Sequence, residues 1–172
     1  AQAAAARHDA PAYQDYRRLL DQKDVDAIFT ATPDHWRSLV CIHACQAGKD
    51  VYCEKPLCRT IDEGQKMVQA ARRYNRVVQM GTQYRSIAKS REACEWVRNG
   101  RLGKVHTVRL SHAANPTHPC EPPRAVPPGL DWDLWLGPAP WADYHPARGH
   151  FTFRFFMDYG GGFVADNGVH MF

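Results

Sequence analysis

A lysine, an aspartate and a histidine in this chain could together remove a proton from an alcohol. Lys55 belongs to the tetrapeptide Cys53-Glu54-Lys55-Pro56, which the pattern places at the C-terminal tip of a β-strand, where open α/β sheets bind ligands. Asp166 and His170 are four residues apart, so they share one face if their segment is helical. A fixed cation, an acid and a base of tunable pKa are the groups that such a proton transfer needs.

The other metal-ligating residue types do not have the spacing of a metal site. Six cysteines occur without a Cys-x-x-Cys pair, which argues against a thiolate zinc site. We interpret the cysteines as small buried hydrophobic residues of a protein in a reducing compartment. A further group of such residues lies among prolines, and we predict that its members are loop residues: His112, His118, Cys120 and Glu121. We therefore predict no bound metal.

Composition and charge exclude several classes of protein. The chain has 172 residues, of which 44% are apolar and 23% charged, which is ordinary for a globular protein of one large or two small domains. The net charge is +4 and no run of Lys and Arg exceeds two residues, so we predict a mildly basic surface and no nucleic-acid partner. No apolar run approaches the roughly 20 residues of a membrane helix, so we predict no membrane insertion.

Both ends of the sequence look like interrupted elements. The first seven residues, AQAAAAR, resemble the middle of a helix and have neither an initiator methionine nor the layout of a signal peptide. Phe172 also falls inside a patterned segment. We expect a piece of a longer protein, cut at both ends. We predict a cytoplasmic location, with export to the periplasm by an upstream signal as the alternative.

Strands and helices alternate in the first half of the sequence. We predict strands over 25–30, 50–53 and 76–81, and helices from Asp34 to about Gly48 and from Thr60 to about Asn75. Thr60 and Glu63 have the spacing of a capping box, and Gly48 can end the first of these helices. This β-α-β-α-β order predicts parallel strands joined by right-handed crossovers.

The second half of the sequence is less regular. We predict a helix over 87–99 and then a strand over 104–112 that opens a different sheet. The stretch 113–150 holds most of the prolines and has the pattern of a long loop, which in a compact chain is either functional or disordered. Its tryptophans argue against disorder, and we predict that they anchor the loop by packing: Trp132, Trp135 and Trp141. The loop precedes the Asp166/His170 segment, so we predict a lid.

One motif of nucleotide-binding folds is missing. A dinucleotide-binding fold normally opens with a strand, a G-x-G-x-x-G turn and a helix, and this sequence contains no such motif. Gly160-Gly161-Gly162 does not replace it, because nothing before it has the pattern of a first Rossmann strand. Either the chain has no dinucleotide site or its first βαβ unit lies upstream of Ala1, and the helical start favours the second reading.

Several motifs, taken in order, resemble those of the Gfo/Idh/MocA oxidoreductases, the family of glucose–fructose oxidoreductase and inositol dehydrogenase. The motifs are ATPDHW from Ala31, AGKDVYCEKPL from Ala47, VVQMGTQYR from Val77, DWDLWLGPAP from Asp131, DYGGG from Asp158 and Asp166-x-Gly168-x-His170. The resemblance covers about residues 13–172. The glutamate–lysine–proline motif followed by the Asp/His helix is its most specific part.

This resemblance implies a fold class and a division into domains. The fold would be α/β: a partial Rossmann-type parallel sheet without its first βαβ unit, then the start of an α+β substrate domain with a largely antiparallel open sheet. Residues 1–85 would be the C-terminal part of a dinucleotide-binding domain. Residues 86–172 would be the N-terminal part of the substrate domain, including the loop at 113–150. The family also implies NAD or NADP as the cofactor and a homo-oligomer.

The same resemblance assigns roles to individual residues. Lys55 and His170 would be catalytic, with Asp166 acting beside them. The cofactor-binding residues would be Thr32, Pro33, His35, Glu54, Lys55 and Gln83, and the substrate-binding residues Lys55, Arg85, Asp166 and His170. Similar sequences often have a histidine where this chain has Arg37, so no cofactor contact is carried over to that position. A cation in the first turn of a helix is also slightly unfavourable for the helix dipole.

The activity implied is that of an NAD(P)-dependent oxidoreductase that transfers a hydride between a nicotinamide cofactor and a sugar, polyol or sugar derivative. His170 would take the hydroxyl proton, Lys55 would stabilise the developing alkoxide, and Asp166 would hold a substrate hydroxyl or set the His170 tautomer. One alternative is an NAD-dependent, redox-neutral glycoside hydrolase on the same fold. A second is a non-catalytic carbohydrate-binding protein. The three tryptophans also have an alternative role: instead of anchoring the loop by packing, they would stack on the sugar.

Overall fold

The computed structural model describes residues 2–117 and 122–171, with side chains described over 5–117 and 122–170. Two compact units divide the chain. The first comprises Ala1–Thr32 and Trp36–Met80, and the second comprises Pro33–His35 and Gly81–Phe172. The predicted loop positions of His118, Cys120 and Glu121 lie outside the described residues.

A parallel sheet with intervening helices forms the first half of the chain. The elements in chain order are α1 (Gln2–Arg7), α2 (Tyr16–Leu20), β1 (Ala27–Thr30), α3 (Asp34–Gln46), β2 (Asp50–Glu54), α4 (Ile61–Arg73) and β3 (Val78–Gly81). The strand order is β1-β2-β3, and β1 pairs with β2 in parallel, with Ala27 opposite Asp50 and Thr30 opposite Cys53. The predicted α/β fold with a Rossmann-type parallel sheet is confirmed.

Local signals set the start of α4 and the end of α3. The Thr60 hydroxyl accepts a hydrogen bond from the Glu63 backbone N–H at 3.3 Å, and the Glu63 carboxylate accepts from the Thr60 N–H at 3.3 Å. This capping box is the predicted one, and it satisfies backbone donors that a helix start otherwise leaves without partners. After α3, Gly48 has a φ of +75°, a left-handed conformation that glycine adopts without strain.

One face of α3, together with β2 and α4, supplies most of the core of the first unit. The buried side chains include Val40, Cys41, Ala44, Cys45, Val51, Cys53, Met67 and Ala70. Burial alternates along β2, as expected for a strand whose two faces differ in cover. The interpretation of the cysteines as buried residues is confirmed for Cys41, Cys45 and Cys53, whereas Cys94 is exposed.

The second unit contains short helical elements and a separate hydrophobic cluster. Its helices are α5 (Ala88–Arg98), α6 (Trp132–Leu136) and α7 (Gly162–Met171), and 3-10 turns occur at Gln83–Ser86, Pro146–Arg148 and Thr152–Phe155. The cluster has Trp132, Leu136, Phe153 and Tyr159 at its centre. The helix predicted over 87–99 is confirmed, and so is the helical setting of Asp166 and His170.

The strand predicted over 104–112 is wrong. These residues are exposed and form no strand within the described chain. The alternation that suggested a strand puts Val105 on one face and Val108 with Leu110 on the other, so neither face is consistently apolar. A strand also needs a neighbour for its backbone hydrogen bonds, and no described segment pairs with this one. The antiparallel sheet of the second domain stays a prediction.

The stretch 113–150 is not the continuous irregular loop that its prolines predict. It contains α6, and the Asp131 side chain caps that helix by accepting a hydrogen bond from the Leu134 N–H at 2.9 Å. Trp132 and Trp135 stack with ring centroids 4.7 Å apart, and the Trp132 indole N–H donates to the Ala142 carbonyl at 2.8 Å. The predicted anchoring role is thus confirmed for Trp132 and Trp135, whereas 73% of Trp141 is exposed.

No helix within residues 2–117 and 122–171 combines the length and the apolar content required to cross a membrane.

Candidate active site

The carboxyl ends of β1 and β2 carry the first group of predicted site residues. β1 ends at Thr30 and β2 ends at Glu54, and because the two strands are parallel, the residues that follow them lie at one edge of the sheet. Thr32 follows β1, and its hydroxyl is 3.1 Å from the hydroxyl of Thr30. Lys55 follows β2. This is the edge at which open α/β sheets bind ligands.

The backbone of Lys55 is held by its own neighbour in the chain. The Lys55 N–H donates a hydrogen bond to the carboxylate of Glu54 at 3.0 Å. Glu54 was predicted from the resemblance to bind cofactor, and this contact gives its carboxylate a local role in shaping the turn. This hydrogen bond therefore fixes the backbone from which the Lys55 side chain extends.

Arg37 lies in the first part of α3 and is only 3% exposed. Its Nη1 donates to the Pro56 carbonyl and its Nη2 donates to the Thr32 carbonyl. These two acceptors belong to the connections that follow β2 and β1. The sequence drew attention to this cation only through its position near a helix start; the structure shows that it contacts both connections.

Helix α7 carries Asp166 and His170, and its start is closely packed. The Asn115 side-chain oxygen accepts a hydrogen bond from the Phe163 N–H at 2.9 Å, which caps the helix from a distant part of the chain. Gly162 has a φ of +68°, and a Cβ there would lie 2.4 Å from the Asn115 amide nitrogen. A Cβ at Gly160 would lie 2.9 Å from the Arg154 Cα. Glycines are therefore required at both positions.

Asp166 is a buried acid paired with a cation. It is 6% exposed, and its Oδ1 lies 3.2 Å from the Nε of Arg154. The Arg154 guanidinium also lies over two aromatic rings, 4.7 Å from the centroid of Phe151 and 4.6 Å from that of Phe153. Cation–π contacts and the ion pair together hold the guanidinium against the carboxylate. Arg154 therefore contributes to the position of Asp166.

His170 is placed by an aromatic contact. Its ring stacks on Tyr84 with centroids 4.2 Å apart and planes 25° from parallel. Its Nδ1 is buried and has no hydrogen-bond partner in the described part of the chain. Both predicted roles of Asp166, holding a substrate hydroxyl and setting the His170 tautomer, stay predictions.

The remaining predicted site residues are in the second unit. His35 is 3% exposed; its Nε2 donates to the Trp135 carbonyl at 2.9 Å, and its ring lies 5.2 Å from that of Tyr159. The structure thus packs His35 among aromatic residues. Gln83 and Arg85 are exposed and flank Tyr84 in the 3-10 turn that contacts α7. Among the described residues, no group of three or more His, Cys, Asp or Glu side chains could hold a metal ion.

Sequence reasoning missed Tyr84, Arg154 and Asn115 as residues that place the acid and the imidazole. Asn115 is 48 residues from Phe163, and Arg154 is 12 residues from Asp166. Helical and strand periodicity relates residues only a few positions apart, so it gives no signal for such contacts. A cation inside the aromatic run before a buried acid was the available clue to Arg154.

Two family profiles match this chain. The profile described as "Oxidoreductase family, NAD-binding Rossmann fold" matches residues 1–82. The profile described as "Oxidoreductase family, C-terminal alpha/beta domain" matches residues 116–172. The two matches occur in the order in which the two compact units follow each other along the chain.

Individual relatives agree with these profiles. The chain is 31% identical over 109 residues to the levoglucosan dehydrogenase of Pseudarthrobacter phenanthrenivorans, a match that covers 61% of this chain and 28% of that protein. The WlbA dehydrogenase of Bordetella pertussis, solved with NADH and UDP-GlcNAcA, is 29% identical with a TM-score of 0.56, over 60% of this chain and 30% of that one. An NAD-binding protein from Listeria innocua matches 98% of this chain and 40% of its own with a TM-score of 0.65; at 24% identity it shows the fold alone. In each comparison the chain spans less than half of the other protein.

Proposed function

We propose that this chain, which belongs to the Gfo/Idh/MocA family of oxidoreductases, serves an NAD(P)-dependent enzyme that transfers a hydride between a nicotinamide cofactor and a sugar, polyol or sugar derivative. The observation that carries the proposal is the position of Lys55, a cation directly after β2 at the carboxyl edge of a parallel sheet. Open α/β sheets bind their ligands at this edge, so a lysine there can contact a bound ligand.

We also propose the division of labour along the chain. Residues 1–85 would belong to the dinucleotide-binding domain and 86–172 to the substrate domain. The two compact units, which separate near Gly81, support this division. The family profiles over 1–82 and 116–172 support it as well.

The residues at the sheet edge fit the ribose and carboxamide groups of a dinucleotide better than its phosphates. Thr30 and Thr32 bring hydroxyl groups to the connection after β1, and such groups can bind a ribose or a carboxamide. Asp34, in the first turn of α3, is a carboxylate that would repel a phosphate at that helix start. We propose Thr32, Pro33, His35, Glu54, Lys55 and Gln83 as the cofactor-side residues, with His35 acting through its packing.

A bound nicotinamide supplies the hydride acceptor, and the chain's own residues manage the proton and the charge. As the C–H hydride leaves the substrate carbon, His170 takes the proton of the hydroxyl on that carbon, and a carbonyl forms. Lys55 stabilises the negative charge that develops on the oxygen. Asp166, held by Arg154, accepts a hydrogen bond from a neighbouring hydroxyl of the substrate and orients it.

The substrate class follows from the polar groups and from the relatives. Paired hydroxyls are the groups that a carboxylate and a guanidinium can position, and we assign Arg85 with Lys55, Asp166 and His170 to the substrate. The levoglucosan dehydrogenase that the chain resembles is named for a sugar derivative. The exposed Trp141 offers a flat apolar face on which a sugar ring could stack.

The test is a substrate screen on the protein expressed from its complete reading frame. Sugars and polyols, levoglucosan and myo-inositol among them, are offered with NAD or NADP, and nicotinamide reduction is followed by absorbance. We expect reduction with at least one of them. Release of sugar from glycosides without net NADH would instead favour the redox-neutral hydrolase. Saturable sugar binding without either reaction would favour a carbohydrate-binding protein.

Two variants then assign the chemistry. Lys55→Ala and His170→Ala should each lower kcat by about 10²–10⁴-fold, the range typical of a residue acting at the reacting centre. In both variants this loss should exceed any change in cofactor affinity. Lys66→Ala is the matched control, because Lys66 is an exposed residue of α4 whose ammonium lies 2.7 Å from the Asp62 carboxylate. Near-normal turnover in either test variant would remove its catalytic assignment.

We further propose that the complete protein is a homo-oligomer in the cytoplasm. Exposed apolar side chains, such as Val105, Val108 and Leu110, support a subunit contact. Buried cysteines that form no disulfide, such as Cys41 and Cys45, support a reducing compartment. Sedimentation and cell fractionation test the two statements; a monomer, or recovery from the periplasm, would contradict them.

A further inference from the structure

We infer that Arg37 is a positioning residue for Lys55, because it ties together the two connections at the carboxyl edge of the sheet. This inference rests on the proposed function, since it assigns Arg37 a role in placing a residue that acts on the substrate. Arg37 itself is not assigned a contact with substrate or cofactor.

The contacts of Arg37 join two separate loops. One arm of its guanidinium donates to the carbonyl of Thr32, which follows β1, and the other donates to the carbonyl of Pro56, which follows β2. Neighbouring strands hold these connections side by side, but the strand hydrogen bonds end at Thr30 and Cys53. Beyond that point, Arg37 continues the link between the two segments.

Lys55 lies next to the link that Arg37 makes between the Thr32 and Pro56 carbonyls, which we call the tie. Its own N–H is fixed by the Glu54 carboxylate at 3.0 Å, and the carbonyl of the next residue, Pro56, is fixed by Arg37. The backbone of Lys55 is therefore held on both sides. A lysine side chain is flexible, so the location of its ammonium depends on how firmly its backbone is held. A misplacement of about 1 Å at a reacting centre can cost about 10²-fold in rate.

The choice of arginine agrees with this role. Its planar guanidinium presents several donors at fixed angles, so it can serve two carbonyl groups in different directions at once. A lysine in the same place has one compact ammonium on a flexible stem and is poorly suited to span both. Arg37 is only 3% exposed, and burial of a cation costs free energy. Its presence at this position is therefore better explained by the positions in which it holds the two connections than by a contribution to the stability of the fold.

Arg37 also touches the core, which is the competing explanation. Its charge lowers the pKa of the buried Cys53 thiol and of the half-buried Cys58 thiol against the larger opposing effect of burial, so the guanidinium lies near both. A purely structural Arg37 would affect the amount of folded protein. A positioning Arg37 would affect the rate of hydride transfer in the protein that does fold.

The experiment uses the protein expressed from its complete reading frame. Arg37→Lys keeps the charge and removes the double tie, and Arg37→Gln keeps one amide donor group. Arg73→Lys is the matched control, because Arg73 is an exposed residue of α4. For each variant we measure kcat and KM on folded protein, the kinetic isotope effect with substrate deuterated at the reacting carbon, and hydrogen exchange in peptides covering 53–57.

We expect Arg37→Lys to lower kcat about tenfold or more with a smaller change in the KM for substrate. The isotope effect should rise, because a misplaced Lys55 makes hydride transfer the slow step. Exchange of the 53–57 amides should be faster than in the Arg73→Lys control. Unchanged kcat and isotope effect in a folded Arg37 variant would overturn the inference.

The exchange measurement separates this inference from the proposed function. If no substrate is oxidised by the wild-type protein, the proposed function fails, but faster exchange at 53–57 in Arg37→Lys would still support the tie. Unchanged exchange there would overturn the tie whether or not the protein is active. If Arg37→Lys does not fold, Arg37→Gln is judged by the same two criteria. Failure of both variants to fold would show a structural residue and overturn the inference.

Discussion

The ion pair between Arg154 and Asp166 helps to position the Asp166 carboxylate, which is proposed to bind a substrate hydroxyl. Arg154→Met removes an ion-pair contact of a buried carboxylate. Such a loss costs about 3–5 kcal/mol for a fully buried pair and less here, because part of Arg154 is exposed. We expect a lower free energy of unfolding in urea and a raised KM for substrate.

Arg91→Met is the control for this prediction. Arg91 also pairs with a carboxylate, that of Glu95 at 2.8 Å, but both side chains are exposed on α5. Its loss should change the free energy of unfolding by no more than about 0.5 kcal/mol. Equal effects of the two substitutions would show that the Arg154 pair is as solvated as the surface pair, and that it does not hold Asp166.

The Cys53 thiol makes stability depend on pH in the alkaline range. Burial raises the pKa of Cys53 from 9.0 to about 11, with the Arg37 charge opposing the shift. Since the unfolded chain ionises first, the stability due to this burial is complete below pH 9.0 and is lost as pH rises to about 11. In Cys53→Ala, the free energy of unfolding should fall less steeply over this range than in the wild type.

Urea denaturation at several alkaline pH values measures this slope. Part of it should remain in Cys53→Ala, because burial also raises the pKa of Cys41. Cys94→Ala is the control, since Cys94 is an exposed cysteine and its replacement leaves the buried Cys53 thiol in place. A slope in Cys53→Ala equal to that of the wild type would mean that this thiol has the same pKa in the folded and unfolded chain.

Helix α6 is the element whose role differs most from the one expected of a loop. Trp132 is 8% exposed and packs in a cluster with Leu136 and Tyr159, whereas Trp141, only nine positions later, is 73% exposed. Trp132→Ala should therefore cost about 3–5 kcal/mol of unfolding free energy, as for other buried aromatic residues. Trp141→Ala should cost no more than about 0.5 kcal/mol.

Urea denaturation of the two variants, side by side, checks this prediction. The same pair bears on the lid: if Trp141 stacks on a sugar, Trp141→Ala should raise the KM for substrate without a change in stability. Equal and small losses of stability in both variants would show that Trp132 does not anchor α6, and that the whole of 113–150 behaves as a loop. The lid itself stays a prediction for the exposed residues on the N-terminal side of α6.

Elements with local signals were predictable from the sequence. The strand over 50–53, the capping box of Thr60 and the glycine turn at Gly48 each depend on residues a few positions apart, and the structure contains all three. Helix α6 has only five residues, too few for a periodic signal, and it is stabilised by packing against Phe153 and Tyr159, which are distant in sequence. The strand prediction for 104–112 was wrong because alternation of residue types does not supply a neighbouring strand.

The candidate site was predictable in its residue types and not in their partners. The positions of Lys55 after a strand and of His170 on a helix follow from local pattern. The stacking of Tyr84 on His170 joins residues far apart in the chain, and the donation from Arg37 to Pro56 spans 19 positions. Such contacts depend on the fold as a whole, which explains why they first appear in the structure.

The two compact units each have their own hydrophobic cluster, and the proposed roles divide between them. Lys55 and Thr32 belong to the unit with the parallel sheet, and Asp166 and His170 belong to the unit with the Trp132 cluster. Each group is fixed by contacts within its own unit: Lys55 by Glu54 and Asp166 by Arg154. A substitution that disturbs one group should therefore leave the local geometry of the other intact.

The 172-residue chain itself should bind NAD and NADP only weakly, although its family has an NAD-binding fold. The pyrophosphate of a dinucleotide is bound by backbone N–H groups of a glycine-rich turn at a helix start, and this sequence has no G-x-G-x-x-G. The start of α3 cannot replace that turn, because Asp34 in its first turn repels phosphate. Calorimetric titration should give a Kd above about 1 mM, which corresponds to less than about 4 kcal/mol of binding free energy. The protein expressed from its complete reading frame is the control and should bind in the micromolar range; micromolar binding by the 172-residue chain would contradict the argument and would show that the residues described here hold the phosphates by another route.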